Sequence, residues 1–461
     1  MIDPLSMLPG VGQQSSIDKL VSIYMAQERK PLNALKASRD RLDVRFAMFD
    51  DLRKKITDVK TLATDLASSA SSVFSGHIVT SSDSTKATAT ASTSATNGTY
   101  SLSVTALAKT DRWTAPSKAS SWRATASGSF TINGVSVTVT AGVSTLASIR
   151  DAVNAGSYAT GKEVVASVVN DSTGSGVLVV ESKKTGAASA ITINDTVSSV
   201  LANNGLSFTH SQTAVDASFT VNGVPVSRSG NAGLSDVVSG LTIDLKDIGA
   251  TTLTVSGDTA GMSSKINAFL DKLNALFDHL KDKSAATKSA DGNYTRGPLY
   301  GYARYTDLRS VLASDLISQV TGLPAGGPTR LSDLGITMDS SMHFVVSDST
   351  KLNNQLSTNP SGVAALFGGT GGVAQRVQNR LTPYVVDRVG GAKAYATQDQ
   401  TSITSQQTAI DGQVKTLNDR LAMREKQLRQ QFARMQSLLI SVMQQQQRMQ
   451  SIFSPSSGWG F

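Results

Sequence analysis

The chain has 461 residues and a formal charge of +8, with 39% hydrophobic and 5% aromatic side chains and no cysteine. Disulfides, thiolate chemistry and cysteine-held zinc are therefore excluded, and no apolar run approaches the ~18 residues that cross a bilayer. The opening MIDPLSMLPG lacks the basic and apolar regions of a secretory signal, so the chain is expected to stay in the cytosol or to leave by a route that reads another address.

The positive charge has no focus. Residues 80–260 carry 11 basic against 12 acidic side chains, and the surplus is spread over the flanks, with the widest margin, 7 against 3, from 401 onward. A nucleic-acid groove needs a dense Lys/Arg stripe with interleaved aromatics. None is present, so nucleic acid is not an expected partner. Length predicts roughly three domains.

Residues 16–72 read as helix. Ser15, with Asp18 three positions on, forms a capping box, and Ile17, Leu20, Val21 and Tyr24 fall on one face. Pro31 kinks or restarts this helix, because its ring clashes with the preceding turn. Beyond it a heptad runs through Leu35, Leu42, Phe49 and Ile56, with Leu52, Val59 and Leu66 at the second apolar position. That spacing asks for a helical partner.

The period then changes to two. In TKATATASTSATNGTYSLSV, from 85, Ala87, Ala89 and Ala91 alternate with hydroxyl residues, and Tyr100, Leu102 and Val104 alternate after Asn97-Gly98. The stretch reads as a hairpin rather than a Ser/Thr-rich linker. SFTINGVSV at 129 and SFTVNGVPV at 218 are near copies. Asn-Gly between alternating apolar residues predicts a type I′ turn, in which both central residues need φ > 0, and the repetition predicts a duplicated β module. Further strands are expected at 164–169, 177–180, 191–193, 241–245 and 253–255. Helix resumes at Ser263 with a stripe of Ile266, Phe269, Leu270, Leu273, Phe277 and Leu280, and a second helix follows at 308–320.

The C-terminal stretch is again heptad. Val414, Leu421, Leu428, Met435, Val442 and Met449 recur every seven residues, and Ile403, Ile410, Leu417, Leu438 and Ile452 hold the complementary position. Arg424, Gln431 and Gln445 interrupt that second row; polar groups in a seam lower its stability and select register or oligomeric state. The expected fold is α+β and multidomain: coiled-coil N- and C-terminal helices brought together, with β-rich domains inserted between them.

Chemical motifs are sparse. His77, His210, His279 and His343 stand apart, with no acid or second histidine at metal spacing, and read as surface or packing residues. Glu163 and Glu181 flank a strand pair but form no acid/base pair. FGGTGGVAQ at 367 lacks the Gly-Lys-Ser/Thr of a phosphate loop and reads as a turn before a helix. GSG at 174 reads as a hairpin loop. Trp113 and Trp122 bracket a loop, where they either anchor a ligand or pack at a domain junction. No enzyme, cofactor or metal is expected.

Several segments, taken in order, resemble the flagellar filament cap (hook-associated protein 2) family. SSIDKLVSIYMAQERKPLNAL is similar to the family's opening, with Glu28, Pro31, Leu32 and Leu35 matching and Ser16 where glycine is usual, before the helix. GTYSLSVTALA, from 98, resembles an early family strand. LSDLGITMDSSMHFVVSDSTKLNNQLSTNPSGVAALFG follows the family order of Gly-Ile-Thr, hairpin, Lys-Leu, Asn-Pro and Leu-Phe, with Ser341-Met342 where Asp-Gly often stands. QQFARMQSLLISVMQQQQRMQSIF resembles the final helix.

The resemblance implies a non-enzymatic protein exported without a cleaved signal by the flagellar type III apparatus to the filament tip. It implies a ring homo-oligomer, a pentamer, whose partners are flagellin, hook-associated junction proteins and an export chaperone on the C-terminal helix, with no membrane insertion. The expected division is terminal coiled-coil legs at 1–40 and 412–461, a helical leg domain with a small hairpin at 41–72 and 262–411, a β-rich plate at 73–117 and 210–261, and an outer β-rich domain at 118–209. The docking seam is expected at Val414, Leu417, Leu421, Leu428, Met435, Leu438, Val442, Met449 and Ile452, with an N-terminal seam at Leu35, Leu42, Phe49, Leu52 and Ile56. A hook–filament junction protein and an adhesin displaying β domains at the tip are the competing readings.

Overall fold

Pro31 divides the first helical stretch in two. In the computed structural model, which describes residues 14–68, 73–288, 291–387 and 390–453, helix α1 (Gln14–Glu28) ends just before Arg29, and α2 (Lys30–Ala67) begins with proline in its first turn. There a missing N–H costs nothing, because the first-turn donors have no intrahelical acceptor. Ser15 and Ser16, where a capping box and a turn before the helix are expected, lie within α1, which includes Gln14. Asp18 instead pairs with Arg429.

From α2 the chain enters β structure. Strands β1 (His77–Ser81), β2 (Ala87–Ala91) and β3 (Gly98–Ala106) belong to an inner unit. An outer unit follows: β4 (Arg112–Thr114), β5 (Gly128–Ile132), β6 (Val135–Val139), α3 (Leu146–Asn154), β7 (Val164–Asn170), β8 (Gly176–Ser182), β9 (Ile193–Asn194), α4 (Val200–Asn203) and β10 (Thr209–Gln212). The chain then returns to the inner unit with β11 (Ala217–Val221), β12 (Val224–Arg228), β13 (Leu241–Leu245) and β14 (Gly249–Gly257). The inner unit has a five-stranded sheet of order β1-β14-β3-β11-β12 and the pair β13-β2; the outer unit has sheets β10-β4-β8-β7 and β6-β5-β9. All are antiparallel, and each unit has its own core. Leu102, Val104, Phe219, Ile243 and Leu253 fill the inner one, and Phe130, Ile132, Val137, Leu178 and Val180 the outer.

The two Asn-Gly copies are the tight turns β5–β6 and β11–β12, with φ of 48° and 83° at Asn133-Gly134 and 50° and 80° at Asn222-Gly223. Their likeness extends past the turn. Asn133 donates its backbone N–H to the Thr192 carbonyl (2.9 Å) and accepts the Thr192 N–H on Oδ1 (2.8 Å). Asn222 does the same with Ser101, at 2.8 Å in both directions. Each asparagine thus extends the neighbouring strand by one rung, once in each unit, so the module is repeated across two sheets rather than within one.

The hairpin expected around Asn97-Gly98 does not form. Both strands exist, but β2 pairs with β13, whereas β3 lies between β14 and β11. Neither Asn97 nor Gly98 has positive φ, so the I′ geometry is missing and partners from more than 100 residues later take the strands.

The helical part closes with α5 (Thr259–Ser284), β15 (Ala286–Lys288), β16 (Tyr294–Arg296), α6 (Ala303–Thr306), α7 (Leu308–Ile317), β17 (Ile336–Met338), β18 (Phe344–Val346), α8 (Ser349–Thr358), α9 (Pro360–Gly368), α10 (Val373–Val385) and α11 (Tyr395–Phe453). Asp258 caps α5 through the Gly261 N–H, and Asn359 caps α9 through Gly362, ahead of Pro360. The full α5 stripe is buried, from Ile266 to Leu280, against α2, α6, α7, α8 and β18. GGTGG is the turn between α9 and α10, with Gly371 at φ +71°. Where the family often has Asp-Gly, Met342 takes φ +63°, and Asp339 holds the turn by accepting the Ser341 and His343 N–H groups.

Candidate functional site

The expected docking residues lie along α11, whose 59 residues span about 88 Å at ~1.5 Å per residue. Its first part runs antiparallel to α2 and then α1. Polar rungs set the register: Gln400 with Asp50 (3.4 Å), Gln407 with Asp43 (2.8 Å), Asp411 with Arg39 (3.0 Å), Glu425 with Arg29 (3.3 Å), and Arg429 with Asp18. Arg424, an interruption of the seam, reaches Glu28 at 3.9 Å. Apart from the part-buried Gln400–Asp50 pair these lie at the surface, where solvent screening leaves an ion pair little net energy; they align the helices more than they hold them.

Apolar contacts do the holding. Val21, Met25 and Leu32 of α1 and α2 bury against Leu421 and Leu428, with Ile17, Val414, Leu417 and Phe432 half-buried around them. Phe432 also meets Tyr24, ring centroids 5.9 Å apart. Met25 and Phe432 fall outside the heptad rows read from the sequence; i, i+4 spacing from Val21 and from Leu428 picks them out. Ile403 is buried deeper, in the bundle core.

Beyond Phe432 the row changes character. Met435, Leu438, Val442 and Met449 are between 48% and 64% exposed, and Leu439, Ile440 and Met443 beside them are exposed too. Ile452 lies outside the residues whose side chains are described. The N-terminal row divides in the opposite sense. Phe49, Leu52 and Ile56 are fully buried in the bundle, Leu42 packs on its edge, and Leu35 is half-buried. The structure therefore packs 414–432 against residues 17–32, outside the expected N-terminal seam, buries Phe49, Leu52 and Ile56 of that seam in the bundle of the same molecule, and leaves Met435, Leu438, Val442 and Met449 exposed.

The other singled-out residues serve the fold. Three histidines that look isolated in the sequence meet carboxylates: His210 with Asp111 (2.6 Å), His279 with Asp51 (3.2 Å) and His343 with Asp278 (2.8 Å). Among the described residues no group of three or more His, Cys, Asp or Glu could hold a metal. Burial pushes the His279 imidazole below its usual range; Asp51 opposes this, while Lys55 and Lys283 add to it. Glu181 pairs with Arg112 (3.0 Å) across β8 and β4, and Glu163 accepts the Gly161 N–H. Trp113 and Trp122 are half-buried against the outer core, in keeping with the packing alternative. Among the described residues no helix is long and apolar enough to cross a membrane.

Comparison with known proteins agrees along the chain. Residues 214–445 match the family model described as flagellar hook-associated protein 2 C-terminus, and residues 14–111 match that of its N-terminus. The A-type flagellar hook-associated protein 2 of Pseudomonas aeruginosa is 28% identical, with 97% of each chain covered. The flagellar hook-associated protein 2 of Escherichia coli K12 is 26% identical over 94% of this chain and 95% of its own. The crystal structure of the D1-D2-D3 domains of the flagellar cap protein FliD from Escherichia coli is similar at TM-score 0.57 and 28% identity, covering 77% of this chain and 99% of that one.

Proposed function

The chain belongs to the flagellar hook-associated protein 2 family, and we propose that it acts as the structural cap at the distal end of the bacterial flagellar filament, where it promotes folding and insertion of exported flagellin and prevents its loss. The observation that carries this reading is the family match across both helical ends and the inner β unit. The open apolar row at 435–449 agrees with it, because a helix with about 21 Å of exposed seam is built to meet another molecule. The protein lies outside the cell, at the filament tip.

The finer picture is as follows. The molecule works as a ring homo-oligomer, a pentamer, with the β units forming a plate and the helices forming legs. The proposed division has legs at 1–40 and 412–461, a leg domain at 41–72 and 262–411, a plate at 73–117 and 210–261 and an outer domain at 118–209, with β4 and β10, which pair in the outer sheet, at the boundary of the last two. Val414, Leu417, Leu421 and Leu428 hold the leg together, while Met435, Leu438, Val442, Met449 and Ile452 dock it to flagellin, to neighbouring copies or to the junction proteins. The export chaperone covers this same stretch before assembly, and the flagellar type III apparatus exports the chain. The plate is a lid that keeps exported flagellin near its neighbours at high effective concentration. Its role is mechanical, without catalysis.

The test replaces Leu438 and Val442 by lysine. The expected outcome is a secreted cap variant, flagellin released into the medium as monomer, and filaments that are short or absent. Normal filaments capped by the secreted double variant would show that this row is not the docking element.

A further inference from the structure

The chain passes between the inner and outer β units twice, from β3 to β4 and from β10 to β11, and both crossings converge on Asp111. Its side chain is 1% exposed and its carboxylate accepts four hydrogen bonds. Oδ1 takes His210 Nε2 (2.6 Å) and the Ala214 N–H (3.0 Å); Oδ2 takes the Ile191 N–H (2.7 Å) and Trp113 Nε1 (3.0 Å). The main chain adds two more, since the Asp111 carbonyl accepts the Ser182 N–H and its own N–H donates to Ser182 Oγ, both at 2.9 Å. The His210 ring stacks on Trp113, centroids 4.4 Å apart and planes 11° from parallel. A carboxylate has about four acceptor sites, so this one is saturated by donors from the outgoing strand, the returning strand and the segment before β9.

A second contact stands beside it. The outer loop at 185–187 rests on the inner unit: Thr185 Oγ1 donates to the Ser229 carbonyl (2.6 Å), Ala187 N–H to Asp216 Oδ1 (2.7 Å), and Gly186 N–H to the Lys109 carbonyl (3.0 Å). Gly186 has φ +97°, and a Cβ there would lie 2.5 Å from Ser229 Cβ, so only glycine permits this seat. The joint between the inner unit and the helices is built differently. It encloses a cleft of about 690 Å³ lined by His77, Asn97, Ser256, Met262, Leu356 and Ser361.

We propose that Asp111 is a clasp that locks the inner and outer β units in one orientation, so that they move as a single rigid plate. Two crossing strands alone would leave a neck free to swing. The buried carboxylate ties both of them to a third segment, and opening the neck would leave an ionised group with unmatched donors around it, which is costly in a low-dielectric site.

The full chain has no cysteine, so Ser101→Cys on β3 and Ser167→Cys on β7, both exposed, accept a pair of spin labels and nothing else does. Pulsed electron paramagnetic resonance on this background is expected to read one narrow distance. Asp111→Asn puts an amide donor against existing donors and is expected to add a second, broader population. Gly186→Ala leaves Asp111 untouched and is expected to shift the mean distance by wedging the loop off Ser229. A broad distribution in the parent, or an unchanged narrow one in both variants, overturns the clasp. If Asp111→Asn fails to fold, His210→Ala removes a single arm: broadening supports the proposal and an unchanged distance overturns it. Filament assembly is not part of the readout, so the result is independent of the capping role.

Discussion

Over residues 395–432, α11 buries its apolar row against α1, α2 and the bundle, whereas Met435, Leu438, Val442 and Met449 of the same row, in the same heptad register, face solvent. Among the described residues the apolar contacts between α1 and α11 run from Val414 to Phe432, with Asp18 beside Arg429 near their end. A heptad states that a helix needs a partner. It does not state whether the partner is in the same chain, and here only part of the row finds one within the described residues.

The largest expected effect comes from breaking the buried half. Leu428→Lys removes a side chain whose burial contributes roughly 1.5–3 kcal/mol and puts a charge in its place, so α1 should lose about 3 kcal/mol of docking free energy. Amide hydrogen exchange is the measurement: α1 should lose protection while α5 and α10, in the separate bundle core, keep theirs. Equal loss in both would mean that the leg and the bundle are one cooperative unit.

An intermediate effect is pH-dependent and confined to the bundle that anchors the first part of α11. His279 has its folded pKa depressed by burial, so the unfolded chain takes up the proton more readily. The sign is therefore a stability fully present above the ordinary value of about 6.5 and lost as pH falls toward the folded pKa. Urea unfolding at about pH 7.5 and about pH 5 should show a smaller acid loss for His279→Gln than for the parent. A parent curve that is flat over this interval would remove the role assigned to His279.

The smallest effects sharpen the contrast between surface and seam. Arg429→Ala cuts the exposed pairs to Asp18 and Glu425 and should leave stability nearly unchanged, because solvent screens surface ion pairs. Leu438→Lys, on the open half, should change monomer stability by no more than about 0.5 kcal/mol, although Leu428→Lys is the same substitution ten residues earlier. A thermal melt of each variant checks both. A strongly destabilised Leu438→Lys would mean that the open row already has an intramolecular partner.

Much of this was legible in the sequence, because the relevant signals are local. The heptads, the Pro31 break, the α5 stripe and the two Asn-Gly turns each depend on residues within a few positions of one another, where backbone geometry leaves few choices. The order of motifs from SSIDKL to the Gln-rich final helix was enough for the family. The rest depended on distant residues. Tertiary structure alone decided that β2 pairs with β13 instead of its neighbour β3, because the intervening turn lacks positive φ and the inserted outer unit brings later strands alongside. It alone joined Asp111 to His210, 99 positions apart, which no spacing rule relates. And it alone divided one continuous heptad into a buried and an exposed stretch, since burial depends on which elements pack against a helix, not on the pattern the helix itself carries.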